Sequence, residues 1–577
     1  MWNALHGPIA VLPLLLAATA LPAPTDVDYA LSPAGGADAN EIAVTLRCVA
    51  DPDGRTEFEL EREWGGHRND GSDVSNLAVA DASGRALEVR RDQPWSWSVA
   101  APEGTPLVAR YAIRRTPPRG EGSKGNDYRT RLDDRLFQCI GHLALLAPRH
   151  LSGSDARDFG ITLKGFADAG WDVTSSWGPG EGTFARRLPS SEFMHSMILA
   201  AKPGAARLHR RAIGDRQIGF AIVGDDWGFT DDQFIALATK IVTLERDFFR
   251  DHSDPWFLVT ATPEGGRASP GAFSLGGTGL LNCFALYCNA GLSLDAGSPY
   301  ADELAVLLAH EYFHTWNGTK MQPSDGEGAD EEAGYGAMWF SEGFTNYFAR
   351  KILHRAGVID DATFARKLSE ALGGYDANPF RSAPNDKIRE QFWTDRDVGQ
   401  LPYQRGDLVA LAIDERMTAA SNGARTLDDL MRELVDATRA KPTITNAQLL
   451  ERITAEVGPE FAAQLRAAIF DGADVPIPER VTRPELRLST QTMRTFDPGL
   501  EIDASHESGT VKGVRDGTEA YRAGLRNGQK LVSATIVPGA DQRTAPKAVI
   551  EIEIDGATKR VEYDAISEPK RVRRYAP

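Results

Sequence analysis

The stretch HEYFH, residues 310–314, restricts the fold and chemistry of this chain more than any other. Leucines at positions 304, 307 and 308 precede it with the spacing of a buried helix. Residues four positions apart share one face of a helix, so His310 and His314 can direct two imidazoles at one metal ion, with Glu311 beside it. Because burying unpaired His and Glu is costly, a metal site explains this pattern better than incidental histidines on an ordinary helix.

A second apolar segment supplies a further carboxylate. Glu342 lies in WFSEG, residues 339–343, whose apolar flanks predict a second helix packed against the first. Catalytic zinc takes three protein ligands and keeps a fourth position open. We therefore predict that His310, His314 and Glu342 bind Zn²⁺.

These residue types also predict a chemistry. Zinc lowers the pKa of a bound water and polarises a carbonyl, and Glu311 is placed to take the water's proton as general base. The oxyanion that develops needs a second hydrogen-bond donor. Tyr403, within LPYQRGDLV at residues 401–409, is the candidate, although a single tyrosine without further context is interpreted as structural.

The 577 residues predict several domains. Short alternating segments between Gly, Pro and Asp clusters, the last of them at 218–223, predict an N-terminal β-rich domain, a sandwich, over residues 25–225. Residues 226–478 follow as an α/β unit that carries the metal motif and a helical part. Residues 479–577 form a final segment of strands and turns, so the predicted fold class is α+β multidomain.

Within the α/β unit the spacing of apolar residues predicts a helix at 231–250 and a strand at 256–261. A glycine-rich loop at 265–279 then leads to an edge strand near 280–287, and mainly helices follow from 337 to 470.

Composition limits the classes of partner. The chain has 42% hydrophobic and 25% charged residues, as ordinary soluble proteins do, and its net charge of −17 argues against nucleic-acid and anionic-membrane binding. After the N-terminus no apolar stretch reaches the length of about 20 residues that spans a bilayer. The expected partner is a peptide or protein substrate, and the oligomeric state stays open.

Residues 1–24 lack charged side chains and contain an apolar run that ends in small residues. This pattern predicts a signal peptide and a periplasmic or secreted protein, with a misplaced start or a buried N-terminal segment as alternatives. Four cysteines do not form a disulfide scaffold. Cys283 and Cys288 either bridge across a turn or pack as two thiols.

The motifs together resemble the PDZ-containing glycyl aminopeptidases, relatives of the thermolysin-like aminopeptidases. The resemblance lies in HEYFHTWN at residues 310–317, WFSEGFTNYF at 339–348 and YQRGDLVAL from Tyr403, and it covers about residues 227–470. It implies a thermolysin-like catalytic domain, with His310, His314 and Glu342 as zinc ligands. It also implies Glu311 as base and Tyr403 as the donor to the transition state.

The same resemblance implies a C-terminal PDZ domain. Residues 514–532, with Gly517, Gly528 and AGL at 523–525, are similar to the middle of a bacterial PDZ domain, and residues 497–502 to its carboxylate-binding loop. The alternative is a β-rich domain without a peptide ligand. The Arg-rich end, residues 570–574, is expected to be a solvated tail.

One departure from the family concerns substrate specificity. The family carries Gly-Gly-x-Glu-His on the edge strand, where the Glu holds the substrate's free amino group, whereas this chain has GGTGL at residues 276–280. Gly279 therefore replaces the anchoring glutamate, and exopeptidase action is not implied. Gly276 and Gly277 still allow a substrate backbone to approach and pair as a strand. Candidate substitute acids are Asp302, Glu303 and the acidic loop at 325–332.

Three functions remain as hypotheses. The first is a zinc peptidase with aminopeptidase activity if another acid replaces the missing one, and the second is an endopeptidase or a peptidase for blocked peptides. The third is a peptide-binding PDZ scaffold with a vestigial zinc site, which the presence of Glu311, Glu342 and Tyr403 together disfavours.

Overall fold

The computed structural model describes residues 25–34, 41–64, 67–114, 128–153, 155–267, 274–295, 298–326, 335–494, 496–537 and 545–577. The fold is mixed α+β, and its three largest hydrophobic cores lie in the N-terminal, central and C-terminal parts of the chain. The predicted signal peptide, residues 1–24, lies outside the described residues. Among the helices that the structure describes, none is long and apolar enough to cross a membrane.

The N-terminal part is β-rich, as predicted. Its strands form sheets of seven, five and four strands, in the orders β17-β14-β1-β2-β10-β6-β7, β11-β12-β18-β15-β16 and β13-β3-β9-β8, with a small β4-β5 ribbon. Side chains from all three larger sheets, among them Leu46, Phe137 and Trp97, share one core. The strands are β1 Val27–Pro33, β2 Glu41–Val49, β3 Arg55–Glu59, β4 Glu63–Trp64, β5 His67–Arg68, β6 Val74–Asp81, β7 Ala86–Leu87, β8 Arg90–Gln93, β9 Ser96–Ala100, β10 Pro106–Arg114, β11 Arg131–Leu132, β12 Leu136–Ile140, β13 Ala147–Pro148, β14 Arg157–Leu163, β15 Asp172–Ser175, β16 Gly178–Pro179, β17 Gly182–Leu188 and β18 Met197–Ala201. Short helices are α1 Gly141–Ala144 and α2 Ser190–Met194, with a 3₁₀ turn at Arg149–Leu151.

A five-stranded sheet opens the central part. Its strands are β19 Ala206–Ile213, β20 Arg216–Val223, β21 Trp256–Arg267, β22 Leu275–Leu280 and β23 Cys283–Ala290, in the order β19-β20-β21-β23-β22. Residues 218–223, assigned above to the N-terminal domain, thus belong to this sheet, because β20 pairs in parallel with β21. The predicted helix and strand after residue 230 are confirmed as α3 Asp231–Phe249 and β21.

The strand predicted near 280–287 is present as β23, but its predicted position at the edge of the sheet is wrong. The glycine-rich segment itself forms the edge strand β22, and β23 lies between β21 and β22. Glycine has low strand propensity, which hid this strand in the sequence. At Gly277 packing requires glycine, because a Cβ would lie 2.4 Å from the Phe284 ring. Cys283 and Cys288 both lie on β23 as buried free thiols, so they do not bridge.

Helices cover one face of this sheet and extend the central part. The predicted helical region after residue 337 is confirmed. The helices are α3 Asp231–Phe249, α4 Pro299–Phe313, α5 Met338–Arg355, α6 Asp361–Ala377, α7 Asn385–Gln391, α8 Arg396–Ala420, α9 Leu427–Ala437, α10 Asn446–Val457 and α11 Pro459–Phe470, with a small β24-β25 ribbon of Gln322–Ser324 and Thr443–Thr445.

The C-terminal part has its own core, formed mainly by β28 Lys530–Val537, β29 Lys547–Ile554 and β30 Ala557–Asp564 with α12 Ile502–Ser508 and α13 Glu519–Arg522. Its first and last strands are β26 Arg480–Val481, β27 Leu486–Met493 and β31 Lys570–Ala576, which form a separate sheet. The Arg-rich end is therefore not a solvated tail. It is β31, and Arg573 binds Asp376 of α6 at 3.0 Å.

Candidate metal centre

Three side chains from two helices converge near β22. His310 and His314 lie at the end of α4, and Glu342 lies in α5. The two Nε2 atoms are 3.1 Å apart, and Glu342 Oε2 is 3.2 Å from His310 Nε2 and 3.4 Å from His314 Nε2. Ligands about 2.0–2.1 Å from a tetrahedral zinc ion are about 3.3 Å from one another. The three donors therefore fit zinc.

The electrostatics of this cluster suit a cation. Burial opposes charge on Glu342, yet both imidazoles outweigh it and hold the pKa of the carboxyl well below its usual range. Burial likewise opposes charge on His314, but the carboxylates of Glu342 and Glu311 raise the pKa of His314 to about 9. The cluster thus keeps Glu342 anionic, as a metal ligand must be.

Asn317 fixes the orientation of His314, and in the sequence only the family motif singles this asparagine out. The Nδ1–H of His314 donates to the Asn317 carbonyl at 2.8 Å, which leaves Nε2 for the metal. The Asn317 side-chain amide donates to the carbonyls of Phe340 and Ser341 at 3.1 and 3.0 Å. One buried residue therefore ties the histidine helix to the helix that carries Glu342.

Trp316 and Lys320 anchor the turn after α4 to the end of α3. Trp316 Nε1 donates to Asp251 at 2.9 Å, and Lys320 Nζ binds Asp251 and Asp254, both at 2.7 Å. Although burial favours protonation of Asp251, these donors lower its pKa, so the carboxylate stays charged. This arrangement explains the Trp-Asn pair and the lysine after the second histidine.

Glu311 lies between the metal cluster and β22. Burial raises the pKa of its carboxyl above the usual range, and the Gly279 backbone N–H donates to it. A Cβ placed on Gly279 would lie 3.6 Å from Glu311 Oε2. A side chain at position 279 would therefore project towards Glu311, where this chain leaves the space open.

Tyr403 approaches the cluster from α8. Its ring stacks near His310, with centroids 6.1 Å apart. Burial raises the pKa of Tyr403 well above its usual value, and Glu342 and Glu311 add to this effect, so the phenol keeps its proton. Its hydroxyl donates to Glu342.

Two glycines let α5 and α8 cross closely enough to bring Glu342 and Tyr403 together. A Cβ on Gly406 would lie 1.9 Å from the Trp339 carbonyl oxygen, and one on Gly343 would lie 2.3 Å from the Gly406 Cα. Along the same two helices Arg350 and Asp407 form a buried bidentate pair, at 2.8 and 2.6 Å. The close crossing thus places the carboxylate of Glu342 on α5 beside the phenol of Tyr403 on α8.

Comparison with known proteins bears on this centre directly. The family model described as M61 glycyl aminopeptidase matches residues 303–391, which include both histidines, Glu311 and Glu342. The resemblance to the glycyl aminopeptidases is confirmed over this segment. Sequence comparison with curated proteins found no match.

Solved structures extend the similarity to the fold of nearly the whole chain. An aminopeptidase N family protein from Idiomarina loihiensis superposes with a TM-score of 0.70 at 16% identity, over 95% of this chain and 97% of its own. A two-domain M1 zinc metallopeptidase variant bound to L-tryptophan gives a TM-score of 0.50 at 15% identity, over 78% of this chain and 95% of its own. At such identities the likeness concerns the fold.

The proposed substitutes for the glycyl aminopeptidase glutamate do not reach the centre in the described residues. Asp302 accepts from Thr363 at 3.0 Å, and Glu303 pairs with Arg366 at 3.4 Å and with Lys367. Both lie in the first turns of α4 and contact α6. Of the acidic loop at 325–332, residues 327–332 lie outside the described residues.

Proposed function

We propose that this protein hydrolyses peptide bonds with a zinc ion held by His310, His314 and Glu342. The observation that carries the proposal is the convergence of three donors at zinc-like separations beside a buried carboxyl, Glu311, that is not one of them. A structural zinc site would have a fourth protein ligand and no need of such a neighbour. The M61 match over the same residues supports a peptidase.

Each further residue has a role in this proposal. When bound, zinc supplies Lewis-acid polarisation of the scissile carbonyl and acidifies water. Glu311 takes a proton from the attacking water, and because burial raises the pKa of its carboxyl it can hold that proton and deliver it to the leaving amine. Tyr403 stays protonated and donates a hydrogen bond to the developing oxyanion.

We propose that the substrate backbone pairs with the open edge of β22. In an antiparallel pair the backbone groups of alternate residues point away from the partner strand. Gly279 directs its N–H at Glu311, so Gly279 and Gly277 present their groups on the open side, next to the base. Added-strand binding would place a peptide bond beside the metal cluster.

Gly279 argues against strict aminopeptidase action. The position faces Glu311 but carries no carboxylate for a substrate's amino group. We therefore propose a peptidase that accepts peptides without reading a free amino terminus, including blocked and internal sites.

We propose a thermolysin-like organisation of the central part, export to the periplasm or medium, and a PDZ-like C-terminal domain. For that domain, the N–H groups of Gly499 and Glu501 already bind Asp497 and the Lys512 carbonyl, so its loop offers few donors to a peptide carboxylate. This favours a loop that stabilises the domain itself over a loop that binds the carboxylate of a peptide.

The direct test is metal removal. We expect a chelator to abolish hydrolysis of a mixed peptide library and about one equivalent of Zn²⁺ to restore it, because the metal is the electrophile. Metal content is measured on the same samples. Undiminished hydrolysis by protein shown to be metal-free would refute the proposal.

A further inference from the structure

A tyrosine of the N-terminal part reaches the substrate edge of β22. Tyr128 precedes β11, and its hydroxyl donates to the Gly277 carbonyl at 3.1 Å, across 149 positions of sequence. Tyr128 also lies close enough to Tyr403 to contribute to its raised pKa. The N-terminal part therefore contributes a side chain to the edge of β22.

The carbonyl that Tyr128 occupies is one that a paired substrate would use. Gly277 pairs with Leu286 and Gly279 with Phe284, and the two glycines present their backbone groups on the same open side. Gly279 faces Glu311, whereas Gly277 is two residues further from the base. Tyr128 thus takes the next hydrogen-bonding position along the edge.

Aromatic neighbours hold the ring in that place. Tyr128 packs edge-to-face on Trp64 and Tyr287, with centroids 5.2 and 5.1 Å apart. Trp64 is backed by His142 and His195, at 5.9 and 5.6 Å. Burial lowers the pKa of His142 to about 3 and that of His195 to about 4, so this support is uncharged near neutral pH.

We infer that Tyr128 closes one end of the substrate groove, by which we mean the path along the edge of β22 on which a substrate strand would pair. Tyr128 thereby limits the number of substrate residues that fit on one side of the cleaved bond. The inference rests on the proposed peptidase function. The hydroxyl of Tyr128 already bonds the Gly277 carbonyl, so a substrate strand that paired beyond Gly279 would have to break this hydrogen bond and displace the side chain. In the glycyl aminopeptidases a glutamate at this position restricts the substrate. In this chain, which has Gly279 there, the length of the groove restricts it instead.

A purely structural role for Tyr128 makes a different prediction. If the residue only joined the N-terminal and central parts, its loss would lower stability or slow all substrates alike. If Tyr128 closes the groove, its loss changes the cleavage of substrates according to their length. The change concerns extensions on one side of the cleaved bond only.

The experiment uses an efficiently cleaved short peptide and versions extended by one to four residues at either end. For the full chain we expect kcat/KM to fall about tenfold beyond a set length at one end, and Tyr128→Ala to remove that fall. Tyr128→Leu, which keeps apolar contact with Trp64, should remove part of it. Tyr128→Phe, which keeps the ring but loses the hydrogen bond to the Gly277 carbonyl, should also remove part of it.

Tyr521→Ala is the matched control, because Tyr521 is a half-buried tyrosine of α13 that packs against Arg526 in the C-terminal part. Zinc content and thermal unfolding are measured for every variant. If Tyr128→Ala and Tyr128→Leu keep zinc and cleave the short peptide but leave the length profile unchanged, the inference is overturned and the peptidase function stands. If the unmodified chain cleaves none of the peptides, both fall.

Discussion

At the scale of single residues, some members of the site are predicted by the sequence. Others are recognised only from their contacts in the folded structure. His310, Glu311, His314 and Glu342 were recognisable because helix periodicity and two family motifs place them together. Asn317 and Tyr128 were not assigned roles, because their contacts depend on a turn and on a partner 149 positions away. Asp302 and Glu303 looked like substitute acids in sequence, yet the helix turns them towards α6.

Gly279 gives a prediction at this scale. We expect free and N-acetylated peptides of the same sequence to be cleaved within about threefold of each other, because no carboxylate at position 279 stabilises an amino group. Gly279→Glu should add a preference for free termini, since a side chain there projects towards the site. Strong selectivity for free amino termini in the unmodified protein would show that another group reads them. The measurement is kcat/KM for each peptide pair.

At the scale of elements, amphipathic helices were predicted well and glycine-rich or charged strands were not. Helix α3 has a regular apolar stripe and a Thr230–Gln233 capping box, so its start and end follow from local sequence. Strand β22 lacks side chains that signal a strand, and its existence depends on pairing with β23. Strand β31 contains four basic residues and forms because β27 pairs with it and α6 neutralises Arg573.

The α5–α8 crossing gives a prediction at the element scale. We expect Gly406→Ala to destabilise the protein by about 1–3 kcal/mol, because the added Cβ would lie 1.9 Å from the Trp339 carbonyl and force the helices apart. Displacement of Glu342 and Tyr403 should also weaken zinc binding and turnover. Thermal unfolding and zinc titration are the measurements.

Gly373→Ala is the control for this crossing. Gly373 lies in α6, and a Cβ there meets no atom within 4 Å, so the substitution is expected to be neutral or slightly stabilising. Equal behaviour of the two variants would mean that the close approach of α5 and α8 does not position the site.

At the scale of the whole molecule, the catalytic proposal draws on more than the central part. The central part supplies the metal ligands, the base and the phenol, whereas the N-terminal part supplies Tyr128 at the groove. The outer strands of the C-terminal part pack on α6, and Tyr575 belongs to the central core. The division of the chain into three domains stays a prediction, because contacts between regions are long-range and leave no local pattern in the sequence.

The central claim is that Glu311 performs proton transfer beside a zinc ion that it does not bind. The most direct test compares Glu311→Gln with Glu303→Gln, which removes a carboxylate from the same helix at its pair with Lys367. We expect Glu311→Gln to keep one equivalent of zinc and lose about 10²–10⁴-fold in kcat, while Glu303→Gln keeps both zinc and turnover. Full turnover in Glu311→Gln with zinc bound would contradict the mechanism.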